Sequence, residues 1–89
     1  MNVSYIVHVS GRVQGVYFRV SSQQKAIDYA LSGYAKNLAD GGVEVFLSGE
    51  QENVDKMLAW LKHGPEQAEV TKIEQKQVDW QEHSFFSIS

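Results

Sequence analysis

The chain has 89 residues, 43% hydrophobic and 21% charged, with a formal net charge of −3 and no cysteine. That length holds one domain built as two packed layers, and no second domain. The acidic balance excludes a general nucleic-acid binder, which needs a basic surface, and the missing thiols exclude disulfides, thiolate metal sites and cysteine nucleophiles.

Ser4 to Ser10 alternates, with Tyr5, Val7 and Val9 on one face and Ile6 and His8 on the other. Apolar residues on both faces predict a central strand. The stretch Gly11-Arg12-Val13-Gln14-Gly15-Val16-Tyr17-Phe18-Arg19 follows and holds both arginines of the chain. Its glycines let backbone N–H groups turn toward a common point, and Arg19 closes the turn. That arrangement suits phosphate or another small oxyanion; taken alone, the same glycines also describe a plain strand–helix turn.

Phe18 to about Ser32 reads as a helix with Val20, Ile27 and Leu31 on its core face, Ala26 and Ala30 beside them, and Gly33 as terminator. Tyr34–Leu38 and Val43–Leu47 read as a hairpin turning at Asp40-Gly41-Gly42. Gln51 to His63 is the clearest helix, because Val54, Met57, Leu58 and Leu61 form one apolar stripe; Gly64-Pro65 stops it. A polar strand from about Glu69 to Val78 is expected at an edge, and Phe85, Phe86 and Ile88 make a short last strand.

Strand, helix, strand, strand, helix, strand gives an α+β fold: a ferredoxin-like split βαβ sandwich, two helices on one face of an antiparallel four- to five-stranded sheet. In that topology the first and second strands run parallel with the third between them, so their C-terminal ends share one sheet edge. The glycine loop leaves the first of these ends and Asn37 sits near the second. Two strand spacings separate them by about 10 Å, a gap that an arginine side chain and a leaning loop can cover.

Val9-Ser10 with the glycine stretch through Arg19, and Gly33-Tyr34-Ala35-Lys36-Asn37 continuing through Gly41, Val43 and Gly49, resemble the two signatures of the acylphosphatase family. The resemblance covers essentially the whole chain. Its one departure is the end, Phe86-Ser87-Ile88-Ser89, which lacks the basic or aromatic residue that often closes the family's last strand. The resemblance implies hydrolysis of acyl phosphates to a carboxylate and inorganic phosphate. It assigns phosphate binding to the loop Gln14, Gly15, Val16, Tyr17 and Phe18 together with Arg19, and orientation of the attacking water to Asn37.

The chemistry is consistent with those residue types. A carboxylate leaves readily, and a loose phosphoryl-transfer transition state needs fixed donors around three equatorial oxygens and an aligned water. Arg19 offers a planar fork of donors. The Asn37 amide has one acceptor and two donors, so it can hold a water and a phosphate oxygen but cannot act as a strong base. The loop lacks the Gly-Lys-Ser/Thr of a Walker motif and has no paired Mg²⁺ carboxylate, so no metal or other cofactor is expected.

Expected partners are a small acyl phosphate and inorganic phosphate, with no nucleic acid and no membrane. A monomer is expected, because the polar last strands give no dimer signal, and the cytoplasm is the expected location. The alternative is a non-catalytic phosphate- or anion-binding regulatory module on the same fold. A single-stranded RNA binder fits the acidic balance poorly. His8, His63 and His83 lack metal-ligand spacing and read as a sheet-face residue, a helix-end charge partner and an exposed side chain. Tyr17 and Phe18 could stack on an acyl group, with core packing the better reading for Phe18. Arg12 reads as solvated.

Overall fold

The computed structural model describes residues 1–89. Alternation in the first segment builds β1 (Asn2–Arg12), and α1 (Phe18–Asp28), β2 (Ser32–Asn37), β3 (Val43–Glu50), α2 (Gln51–Leu61), β4 (Glu69–Val78) and β5 (Phe86–Ile88) follow. All five strands form one sheet in the order β4-β1-β3-β2-β5. β1 pairs antiparallel with β3 and β4, and β2 pairs antiparallel with β3. β1 and β2 therefore run parallel with β3 between them, and β4 takes the edge its polar pattern predicts.

β5 departs from an all-antiparallel sheet, joining the other edge parallel to β2. The reason lies in the seven residues 79–85 that connect β4 to β5. They span the whole width of the sheet, four strand spacings or about 19 Å, which seven extended residues at about 3.3 Å each can reach. Returning from the far edge, β5 runs against β4 and hence alongside β2. Ser89 extends the pairing, its N–H donating to the Ala35 carbonyl at 2.9 Å, so the sheet closes without an aromatic or basic last residue.

The valines of β1 and β3 turn one way. Val7, Val9, Val43, Val45 and Leu47 are fully buried and share a single core with both helices. The α2 stripe packs as its spacing predicts, with Val54, Met57, Leu58 and Leu61 all buried. Burial of such side chains contributes roughly 1.5–3 kcal/mol each. Gly64 then leaves the helix in a left-handed conformation, φ 67°.

α1 differs from expectation at its face and at its end. Its buried residues are Phe18, Ser22 and Ala26, four apart on one stripe, whereas Val20 and Ile27 face outward. Phe18 anchors the rotation by packing on Trp60 of α2, with ring centroids 6.0 Å apart, and the small Ser22 and Ala26 fill the line behind it. The buried Ser22 hydroxyl donates to the Phe18 carbonyl at 2.7 Å. The helix stops at Asp28 because Ala30 takes a left-handed φ of 55°. Leu31 N–H then bonds back to the Ala26 carbonyl at 2.8 Å and Ala30 N–H to that of Ile27 at 3.1 Å, a Schellman closure. Gly33 serves β2 instead of the helix end: a Cβ there would lie 1.8 Å from the Phe46 carbonyl oxygen of β3.

The opposite sheet face is half covered. Residues 79–85 cross it, Gln81 N–H donating to Ser4 Oγ at 3.0 Å. His83 is not exposed as expected but lies on Phe46, ring centroids 5.1 Å apart. Beneath the crossing, Ser4 and Ser48 are buried and directly opposite in register, their hydroxyl oxygens 2.8 Å apart.

Candidate active site

The parallel pair β1 and β2 delivers two segments to one edge. In the register, Val9 of β1 and Asn37 of β2 both stand opposite Val43 of β3. Asn37 is thus level with Val9, two strands away, as β1 bends into the loop at a bulge between Ser10 and Gly11. Gly11 permits that bend: its φ is 122° and a Cβ would lie 2.1 Å from the Glu69 carbonyl oxygen.

The loop between Arg12 and Phe18 is held at both ends by buried side chains. Val13 and Val16 are buried below it, and Phe18 sits in the core at the start of α1. Between them, Gly15 takes φ 75° and Tyr17 takes φ 60° with ψ 24°. Left-handed residues spaced in this way turn backbone N–H groups toward a shared concavity. Among the main-chain hydrogen bonds of turns and loops, none is donated by Gly15, Val16 or Tyr17. The first N–H groups of α1 likewise have no intrahelical acceptor, and no acidic residue occupies its first turn.

A depression of about 300 Å³ opens at this place, lined by Val13, Gly15, Tyr17, Phe18, Arg19, Val20 and Asn37. Arg19 is the only charged residue among them, so the local field favours an anion although the whole chain is acidic. One arm of its guanidinium donates to the Ser89 carbonyl, and the remaining donors of the fork are left for a ligand.

The sequence-derived residues therefore divide. Gly15, Tyr17, Phe18, Arg19 and Asn37 line one cavity, Phe18 as its buried floor. The Val16 side chain is buried away from it. Gln14 turns aside, its Nε2 donating to the carbonyls of Leu38 at 2.8 Å and Gly42 at 2.9 Å. This side chain straps the loop to the β2–β3 turn that begins one residue after Asn37, a role the sequence pattern did not disclose. Val13 and Val20 also line the cavity without having been singled out. Asp40 works within the same turn: its Oδ1 accepts the Gly42 N–H at 2.8 Å and its Oδ2 lies 3.2 Å from His8 Nε2. These last two atoms are close without forming a hydrogen bond, and His8 Nε2 has no aligned acceptor.

A larger depression of about 510 Å³ lies on the uncovered part of the sheet face, between Ile6, His8, Leu38, Glu44, Glu74 and Lys76. Two carboxylates against one lysine disfavour an anionic ligand there, so the smaller cavity with Arg19 is the candidate site. Above that face, the Tyr34 hydroxyl donates to Glu44 Oε2 at 2.7 Å. Burial first, then the bond to Glu44 and its negative charge, push the Tyr34 phenol up to about 12. No group of three or more histidine, aspartate or glutamate side chains is placed to hold a metal ion, and no helix is long and apolar enough to cross a membrane.

Comparison with known proteins identifies the family and the fold. Residues 5–88 match the family model described as Acylphosphatase. A protein named acylphosphatase from Colwellia psychrerythraea is 73% identical over 88 residues, covering 99% of each chain. Among solved structures, an acylphosphatase from Coxiella burnetii superimposes with a TM-score of 0.95 at 36% identity, over 99% of this chain and 93% of that one. One from Bacillus subtilis superimposes with a TM-score of 0.94 at 34% identity, over 98% of each.

Proposed function

The chain belongs to the acylphosphatase family and is an acyl phosphate hydrolase, and from that premise we propose how its residues divide the reaction. The loop amides from Gln14 to Phe18 and the Arg19 guanidinium hold the phosphoryl oxygens. Asn37 fixes the attacking water in line with the breaking bond. The observation that supports this division is the convergence of Arg19 and Asn37, distant in sequence, on one cavity with a single positive charge.

The proposed step is displacement at phosphorus. Water oxygen forms the new P–O bond while the bond to the acyl oxygen breaks, and the electron pair leaves on a carboxylate. Negative charge on the three equatorial oxygens rises in the transition state, and fixed donors stabilise it without reorganising. A carboxylate needs no general acid to leave. The water's proton passes to a phosphate oxygen, because Asn37 is no base. The proposal extends to a free cytosolic protein acting on a small diffusible substrate, a location that the cysteine-free composition fits, and to a monomer, which the polar edge strand β4 fits.

The test is hydrolysis of benzoyl phosphate in the presence of a chelator. Arg19→Ala loses phosphate binding and turnover together. Asn37→Ala loses turnover while inorganic phosphate still inhibits or binds. Unimpaired turnover by Asn37→Ala would refute its role, and turnover abolished by the chelator would refute the metal-free step.

A further inference from the structure

Tyr17 and Val20 are the two cavity residues with no structural reason to be apolar. Tyr17 is 75% exposed and Val20 is 56% exposed. Neither joins the core, and both line the same depression as Arg19 and Asn37. Tyr17 also holds a left-handed backbone conformation, φ 60°, which an L-residue with a bulky side chain ordinarily avoids. That conformation carries its ring to the rim of the cavity at the start of α1. Val20 lies one helical turn further on, on the same side.

Four of the seven lining residues are hydrophobic, yet a phosphoryl group uses only the polar ones. Val13 and Phe18 are accounted for by the core; Tyr17 and Val20 are not. At about 300 Å³ the cavity has the volume of a small-molecule site, in which apolar walls take the ligand's body and a few polar groups set its orientation. The part of an acyl phosphate that remains outside the phosphate nest is its acyl group.

Building on the catalytic reading above, we propose that Tyr17 and Val20 form an apolar shelf for the acyl group, so that the enzyme selects acyl phosphates with an aromatic or branched apolar acyl part over those with an acetyl-sized one. The acyl carbon chain lies against the Tyr17 ring and the Val20 methyls while its phosphate is held by the loop and Arg19. No proton or charge passes through either residue, so the shelf acts on selection and leaves the order of bond making and breaking unchanged.

The experiment compares kcat/KM for benzoyl phosphate and acetyl phosphate in the wild type, Tyr17→Asn and Val20→Thr. Asparagine accepts the left-handed backbone, and threonine keeps the shape of valine while replacing a methyl by a hydroxyl. Should Tyr17→Asn fail to fold, Tyr17→Gly takes its place with the same backbone angles. The benzoyl-to-acetyl ratio is expected to fall about two- to tenfold in Tyr17→Asn, the range of one aromatic contact, and about two- to fourfold in Val20→Thr, the worth of one buried methyl group. Inhibition of Val20→Thr by inorganic phosphate stays at the wild-type level. A ratio unchanged in either variant overturns the shelf, as does weakened phosphate inhibition in Val20→Thr, which would place the effect at Arg19. A wild type that turns over neither substrate defeats the catalytic reading and the shelf with it; one that turns over both with a ratio the variants do not alter defeats the shelf alone.

Discussion

Replacing Gln14 by leucine removes the strap between the phosphate loop and the turn behind Asn37 while keeping side-chain bulk. Two hydrogen bonds vanish, to the carbonyls of Leu38 and Gly42. Neither carbonyl is orphaned, because Leu38 still accepts from Gly41 N–H at 3.1 Å and Gly42 from Leu38 N–H at 2.8 Å. The loss is therefore the net worth of two ordinary bonds, about 1–2 kcal/mol, not the larger cost of stranded polar groups. In a domain of this size each kcal/mol moves the melting point by about 4–8 °C, so Gln14→Leu should melt about 4–16 °C lower by circular dichroism. The kinetic effect should be larger than the thermal one, because Asn37 immediately precedes the freed turn and a shift of about 1 Å at a positioning group costs up to about a hundredfold in rate. Turnover of benzoyl phosphate should fall at least about tenfold. Gln14→Glu discriminates further: an acceptor-only carboxylate facing two carbonyl oxygens is repelled, so this variant should melt below Gln14→Leu. A Gln14→Leu protein with wild-type melting and wild-type turnover, or a Gln14→Glu protein more stable than Gln14→Leu, would refute the strap.

Two further outcomes follow from the backbone and from Tyr34. Ala30→Gly removes the steric cost of a left-handed residue at an exposed helix end, offset in part by a more flexible unfolded chain; a gain of about 0.5–1 kcal/mol is expected, read as a higher urea midpoint, and a loss would contradict the Schellman closure. For Tyr34, a folded-state phenol raised to about 12 keeps its proton when the unfolded chain, near 10, has lost it. Its contribution is complete below about pH 10 and is lost as pH climbs to about 12, so Tyr34→Phe should lower stability at neutral pH and show a shallower decline than the wild type across that alkaline window in denaturant titrations.

What the sequence disclosed follows from periodicity. The stripe from Val54 to Leu61 and the alternation through Val7 and Val9 pointed to the same neighbours they bury against, because a strong repeat leaves one way to orient an element. Asn37 and Arg19 could be brought together on topology alone, since insertion of β3 between β1 and β2 puts both at one edge. α1 misled for a related reason. Its core stripe is a phenylalanine, a serine and an alanine, so apolarity is a poor guide to its orientation, and the outward Val20 and Ile27 look like core. Its end was obscured because alanine, not glycine, takes the left-handed position. The Gln14 strap and the crossing of residues 79–85 over the sheet rest on contacts between distant segments, which no local pattern encodes.

The two buried serines have a consequence for fidelity of assembly. A slip of one residue between β1 and β3 would turn Val7 and Val9 to solvent, and the core alone forbids it. A slip of two would keep every valine inward, and a purely hydrophobic core would tolerate it, yet it would carry Asn37 about 7 Å past the loop and leave a folded but idle molecule. The hydroxyl pair of Ser4 and Ser48, facing each other at one rung only, penalises that error, because a slip of two sets Ser4 against Phe46 in one direction or Ser48 against Ile6 in the other and breaks the buried hydroxyl–hydroxyl bond.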